Sequence, residues 1–385
     1  MSWVEIDRSR LLHNVEVFRK AIAPETDLMA VVKSNAYGHG LDLISETLQD
    51  AVDWFGVDSL GEALDVVAKA PSKPVLILGF SPPESCDTIV EREFRQVVYR
   101  EDVVEALSEA AVRQGRTARV HLKIETGTNR QGVPVDQVVE FARTAARRPG
   151  IEIEGAYTHF SNIEDTLDPS FAMLQVERFR QALRGLAQAG IRPSAVHAAA
   201  TAGILLYPDT HFSMVRLGIG AYGVWPSRET RLAARERGLA PVLMPVMTWK
   251  TRIVQLKNVA RGDYVGYGQS FQAPRAMTLG VAPVGYYEGY DRLLSGSGRA
   301  LIRGKHASVV GRVAMNMTML DVTDTGADLD EEVVLIGRQG NEEILADELA
   351  AKTGTIAYEV LARINPLLRR IPLTDVPNDA PAGEQ

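Results

Sequence analysis

A lysine at the end of an apolar run is the first residue whose position suggests chemistry. Leu28-Met29-Ala30-Val31-Val32 is continuous and apolar, stops at Lys33, and is followed at once by Ser34-Asn35-Ala36-Tyr37-Gly38-His39-Gly40. Such a run reads as a strand buried on both faces. Lysine is among the residues least often buried, so an amine at the C-terminal end of that strand needs a purpose. Polar residues close other β-rich runs as well. Arg130 lies in the loop after 119–125, His159 ends 151–159, Thr201 follows 194–198, and Arg216, Gly218 and Ile219 stand in "RLGIG" at the end of 214–218. Singly, each has a bland explanation: a capping threonine, a satisfied histidine, a structural arginine. Together they describe one site. The set suits a lysine Schiff base to an aldehyde cofactor. Pyridoxal phosphate needs an amine, a partner for its ring nitrogen and anion-binding backbone amides. Lys33 would supply the first and Arg216 the second. "RLGIG" and the N-terminus of a short following helix would supply the third. Tyr37 and Thr201 add hydroxyl donors. Glycine-rich turns are common, so the glycines alone carry little of the phosphate reading.

The elements that must position these residues follow from the period of the pattern. Eight β-rich runs occupy 28–33, 54–58, 74–78, 96–99, 119–125, 151–159, 194–198 and 214–218. Most are separated by helical segments such as "REDVVEALSEAAVRQG" and "DQVVEFARTAARRPG", the latter keeping Val138, Val139, Phe141, Ala142 and Ala145 near one face. Alternating strands and helices imply a parallel sheet, and eight units imply a (β/α)8 barrel with its site at the strand C-termini. An open doubly wound sheet is the alternative, but no G-x-G-x-x-G follows the first strand. After about residue 240 the texture becomes strands joined by Gly- and Asp-containing turns. The expected fold class is therefore α/β: an N-terminal TIM-like barrel over 9–238 and a mostly β domain over 239–375. Residues 225–238 would connect the two, and the tail 376–385 is expected to be disordered. Met315, Met317 and Met319 alternate as residues of a strand do.

Composition bounds the function. Hydrophobic residues make up 45% and charged residues 24% of 385 residues, as in ordinary globular proteins. The net charge of -7 argues against a general nucleic-acid or anionic-membrane binder. No secretory signal or bilayer-length apolar run is visible, so the expected location is cytoplasmic. The single cysteine, Cys86, leaves no intramolecular disulfide and no cysteine-based metal cluster, and no metal is expected. His39 reads as a loop residue, and His121 and His197 as barrel lining.

"AVVKSNAYGHG" resembles the pyridoxal-phosphate attachment motif of the alanine racemase family. "HLKIETGTNRQG", "YTHFSN", "MVRLGIGAYG", "PVGYYEGYDR" and "VVGRVAMNMTMLDV" resemble its other blocks in the same order, so the likeness runs over nearly the whole chain. The resemblance implies a head-to-tail homodimer with each site built from both subunits, and residues 1–8 paired with the C-terminal domain. It makes Lys33 the Schiff-base lysine and one catalytic base, and Tyr286 the opposing base presented by the partner subunit. Two groups on opposite sides of the cofactor plane can remove a proton from one face of Cα and deliver it to the other. His159 and Arg216 resemble a relay behind the tyrosine. A guanidinium keeps its protons, which makes the cofactor a weaker electron sink and disfavours transamination. Arg130 matches an arginine that orients the cofactor's phenolic oxygen and the substrate carboxylate, and the backbone N–H of Met315 matches a group that also meets that carboxylate. Tyr37, Thr201, Gly218 and Ile219 match phosphate-binding positions, and Lys123 a lysine carbamylated in some members. The implied activity is interconversion of L- and D-alanine, supplying D-alanine for peptidoglycan. Racemases of serine, lysine or broad specificity, a fold-type III decarboxylase and a non-catalytic pyridoxal-phosphate carrier are the alternatives. The chain departs from the family pattern at Ala200, Glu288, Ala314, Asn316 and Pro366. The last three bear on substrate size and entrance.

Overall fold

The structure, a computed structural model, describes residues 1–239 and 241–373. The tail 376–385 lies outside the described residues. The chain divides into two compact units, one of Leu11–Ser34 with Ile44–Met244, the other of Met1–Arg10, Asn35–Leu43 and the chain from Pro245 onward.

After β1 (Trp3–Asp7), the first unit runs through β2 (Asp27–Val31), β3 (Trp54–Val57), β4 (Val75–Ile77), β5 (Arg95–Val98), β6 (Ala118–Glu125), a two-residue β7 (Val133–Pro134), β8 (Ile151–Tyr157), β9 (Ala195–His197) and β10 (Met214–Leu217). Strands β2, β3, β4, β5, β6, β8, β9 and β10 neighbour one another in that order, all parallel. Gln96 pairs with Val120 and Met214 with Asp27, so β5 meets β6, β10 returns to β2, and the barrel closes. The expected (β/α)8 architecture is therefore present. Closure excludes the open-sheet alternative, because it leaves no sheet edge. Met29, Leu76, Val97, Tyr157 and Met214 form one buried cluster against Trp54, Leu78 and Tyr99. This fills the barrel as a core rather than a pore.

The outer helices follow from spacing. Val138–Arg147 buries Val138, Phe141, Ala142 and Ala145, a single stripe at helical period. Glu101–Gln114 ends on Gly115 at φ 62°, a left-handed C-cap that glycine adopts without steric cost. Residues 225–238 carry the helix Arg228–Glu236, whose N-cap Ser227 accepts from the Thr230 N–H.

The second unit is a mostly antiparallel sheet. Its order is Gln255–Val259, Met277–Ala282, Thr318–Asp321, Lys305–Val309, Arg299–Ile302, Glu332–Gln339, Met247–Arg252, β1 and Arg369–Leu373. Strand β1 lies antiparallel to Met247–Arg252, with Trp3 opposite Lys250, and parallel to Arg369–Leu373. The methionine alternation misleads: the strand begins only at Thr318, and Met315 and Met317 sit exposed in the loop before it. Only Met319 packs, against the Val259–Val310 cluster. No helix among the described residues is long and apolar enough to cross a membrane.

Candidate active site

Lys33 follows β2 at the C-terminal end of the barrel, with Nζ 3.5 Å from Asp58 Oδ1. Glu62 fixes both flanks, accepting the Ser34 N–H at 2.6 Å through one carboxylate oxygen and the Asp58 N–H at 2.8 Å through the other. Beyond the lysine the backbone turns left-handed for a whole turn. Ser34, Asn35, Ala36 and Tyr37 have φ of 56°, 55°, 52° and 53°, and Gly38 follows at 85°. Each non-glycine residue in that conformation costs about 1–2 kcal/mol, so the turn persists only because its surroundings over-determine it. His39 is completely buried, with Nδ1 3.1 Å from the carbonyls of both Ala36 and Tyr37. Burial pushes its imidazole down to about 4. The ring is neutral, and Nδ1 carries the proton that both carbonyls accept. Asn35 Oδ1 accepts the Leu41 N–H at 2.9 Å.

Arg216, third residue of β10, is 4% exposed. It donates to the carbonyls of Thr158 and Ala198 at 2.9 Å, to His197 Nδ1 at 2.8 Å and to His159 Nδ1 at 3.3 Å. Its guanidinium also lies 5.1 Å from the Tyr157 ring, which stacks on His197. His159 is held where β8 ends by its own carbonyl, which accepts from Thr128 Oγ1 and Gln175 Nε2. Burial, followed by the charges of Arg216, Arg130, Lys123 and Lys33, lowers its imidazole to about 3. Lys123 hydrogen-bonds Gln131 at 3.0 Å, and burial together with Arg130 and Arg216 brings its amine down to about 8. Four cationic side chains thus act on one small region, which suits an anionic ligand. Thr201 is buried opposite the "RLGIG" segment, its Oγ1 accepting the Gly220 N–H at 3.3 Å. Gly218 precedes the short helical turn Ile219–Tyr222, whose first N–H groups have no intrahelical acceptor. Arg130 is exposed, its N–H directed at Glu125 Oε2.

The second unit carries Tyr37, Tyr286 and Met315. Tyr37 stands 6.2 Å from the Tyr358 ring. Tyr286 is 43% exposed on a loop joined to the Met315 loop by the Tyr286 N–H to Ala314 carbonyl bond and the Tyr287 N–H to Met315 carbonyl bond. Gly285 makes this approach possible, since a Cβ there would lie 2.1 Å from the Ala314 oxygen. The Met315 N–H has no protein acceptor among the described residues. Two departures from the family pattern meet here: Asn316 Nδ2 donates to Glu288 Oε1 at 2.8 Å, while Glu288 Oε2 accepts the Gly285 N–H at 2.8 Å. Pro366 is exposed beside Asn365, which binds the carbonyls of Tyr287 and Glu288.

Sequence reasoning passed over Glu62, Glu154 and Gln175 and left His39, His121 and His197 as loop or lining residues. One local signal points to His121. Gly155 interrupts β8, and a Cβ on it would lie 2.3 Å from His121 Nδ1. Glycine inside a strand marks such close approaches.

Comparison with known proteins agrees over both units. Residues 6–226 match the family model described as alanine racemase, N-terminal domain, and residues 246–372 that of the alanine racemase C-terminal domain. The alanine racemase of Syntrophobacter fumaroxidans is 40% identical over 366 residues, covering 94% of this chain and 95% of its own. Among solved structures, alanine racemase from Bacillus anthracis with bound L-Ala-P has a TM-score of 0.91 at 30% identity, covering 97% of this chain and 95% of that one. Histidine racemase from Leuconostoc mesenteroides has a TM-score of 0.85 at 27% identity, covering 97% and 98%.

Proposed function

This chain belongs to the alanine racemase family of isomerases, and from that premise we propose that it interconverts L- and D-alanine with pyridoxal phosphate, using Lys33 and Tyr286 as its two bases. The observation that carries the reading is the buried Arg216 guanidinium, 3.3 Å from His159 where the barrel strands end, with the charges of Arg130, Lys123 and Lys33 also acting on that histidine. The donor set fits the cofactor: an amine on Lys33, a buried guanidinium on Arg216, a buried hydroxyl on Thr201 and backbone amides at Gly218 and Ile219. Tyr37 matches a phosphate-binding position of the family and would offer a second hydroxyl. Pyridoxal phosphate, when bound, supplies the electron withdrawal that makes the Cα proton of an amino acid acidic.

The residues divide the remaining work. Lys33 holds the cofactor and moves a proton on one face of Cα. Tyr286 of the partner subunit moves it on the other, with a phenol backed by His159 and Arg216. Arg130 and the Met315 N–H orient the substrate carboxylate. Lys123, whose amine is neutral in part near pH 8, bonds through Nζ to the carbon of carbon dioxide and releases a proton to solvent, and the resulting carbamate gives Arg130 an anionic neighbour. The protein works as a cytoplasmic homodimer with shared sites, and its product serves peptidoglycan synthesis. The likeness to a histidine racemase, with Pro366 and Asn316 at departing positions, favours one second reading, a racemase for larger amino acids.

Deuterium wash-in with L-alanine, L-serine, L-lysine and L-histidine separates these. D-alanine bearing Cα deuterium is expected to form fastest, and Tyr286→Phe is expected to lose at least about 10²-fold in kcat, the scale of one general acid–base group. Faster turnover of histidine or lysine selects the second reading. Release of carbon dioxide and amine, or an unimpaired Tyr286→Phe variant, overturns the proposal.

A further inference from the structure

Arg216 is one end of a chain of side chains inside the barrel. Its Nη1 lies 2.8 Å from His197 Nδ1, His197 Nε2 lies 2.9 Å from His121 Nδ1, and His121 Nε2 lies 3.2 Å from Glu154 Oε2. Both histidines are completely buried, and their rings meet edge to face at 5.2 Å. At the far end Glu154 also takes Arg95 through both oxygens, at 3.1 Å and 3.3 Å.

The proton order along this chain has one solution. Guanidinium has donors only, so His197 Nδ1 accepts. In a neutral ring the other nitrogen then carries the hydrogen, and His197 Nε2–H donates to His121 Nδ1. By the same rule His121 Nε2–H donates to the Glu154 carboxylate. An added proton on either ring would set two donors face to face, at the Arg216–His197 or the His197–His121 link. Burial lowers both imidazoles, and for His197 the nearby Arg216 charge adds to the effect.

We infer that His197, His121 and Glu154 are positioning residues: a one-directional hydrogen-bond chain that anchors the Arg216 guanidinium and links it to a carboxylate across the barrel. Glu154 is the negative end of the series. Each bond polarises the next in a low-dielectric interior. By the same donor rule His159 Nδ1 accepts from Arg216, which leaves the hydrogen of the neutral His159 ring on Nε2. The functional part of this inference rests on the reading of Arg216 as the cofactor's ring-nitrogen partner. The chain itself does not.

The test uses full-length protein labelled with 15N-histidine and 15N-arginine, prepared without cofactor. Imidazole NMR is expected to show His121 and His197 as neutral Nε2–H tautomers that do not titrate between pH 5.5 and 8.5. A cationic ring, or an Nδ1–H tautomer on either residue, overturns the chain. Glu154→Gln keeps an acceptor for His121 but removes the charge, so the tautomers are expected to persist. With cofactor added, kcat for alanine is expected to fall roughly tenfold with KM unchanged, the scale of one hydrogen bond to a charged group. His121→Phe keeps a ring but cuts the chain, and is expected to broaden the Arg216 guanidinium signals. Unchanged guanidinium signals together with unchanged kcat in both variants would falsify a positioning role. If wild-type protein racemises no amino acid while the tautomers and guanidinium signals behave as expected, the proposed function fails and the chain stands.

Discussion

At the scale of single residues, Glu288 and Asn316 are best read as a pair. Each departs from the family pattern, and the structure joins them at 2.8 Å. A carboxylate at 316 would face the Glu288 carboxylate, a like-charge contact that raises the pKa of one or both groups. In this chain the amide is therefore the matching partner. Asn316→Asp is expected to lower kcat/KM several-fold by displacing the Tyr286 loop. The double variant Asn316→Asp, Glu288→Gln restores a donor and an acceptor, and is expected to recover most of the loss. Steady-state kinetics of the three variants checks this. A single variant as active as the parent would show that the pair does not hold the loop.

At the scale of elements, the left-handed turn after Lys33 is where stability and function conflict. Ser34 is exposed and has φ 56°. Ser34→Gly removes a steric penalty of about 1 kcal/mol, and the part of that gain left after the entropy glycine returns to the unfolded chain is expected to raise the melting temperature slightly. The same change loosens the segment that carries Lys33, so kcat is expected to fall. Gly38 has no such latitude, because a Cβ on it would lie 2.0 Å from the Leu361 oxygen. Arg370 ties this turn to the C-terminal segment. Its five N–H groups reach the carbonyls of Gly38, Ile364, Asn365 and Leu368. Burial lowers its guanidinium to about 10, which still leaves it charged at neutral pH. Arg370→Met keeps the packing and strands four carbonyls. A loss of about 3 kcal/mol or more is expected in urea unfolding, from an unsatisfied-acceptor cost of about 1–3 kcal/mol for each carbonyl that water does not reach.

At the scale of the whole molecule, the buried histidines set the acid limit. His39 is lowered to about 4 and His159 to about 3, and His121 and His197 are also lowered. The unfolded chain protonates each near pH 6.5 while the folded protein does not, so the unfolded state binds more protons below that pH. Folding stability from these groups is therefore fully present above pH 6.5 and declines as pH falls toward 4. Each histidine contributes a slope of up to about 1.4 kcal/mol per pH unit. Urea midpoints measured from pH 7.5 to 4.5 are expected to fall steadily below about 6.5, and His39→Gln is expected to flatten the curve. A midpoint independent of pH over that range would remove these histidines from the account.

Much of the barrel was legible before any coordinates, because strand and helix periods are local. All eight β-runs of the first 220 residues became barrel strands, and the helix over 138–147 buries four of its five expected residues. Lys33 and Arg216 drew notice through chemistry out of place, a cation at the end of an apolar strand. Other features depend on contacts between distant positions, which a local pattern does not contain. Met315 and Met317 matched a strand period but lie in a loop, since the approach of Gly285 to Ala314 and Met315 sets the backbone there. His121 and His197 looked like lining because a buried histidine takes its role from the atom across the barrel, 76 residues away in the chain. Period, polarity and punctuation of the elements are local, and with them came the fold class and the strand ends that could bear chemistry. Which nitrogen faces which donor, which carbonyls pin the left-handed turn and which carboxylate closes the chain from Arg216 emerge only in the folded molecule. Barrel closure and β1 pairing set those partners, and both are long-range events.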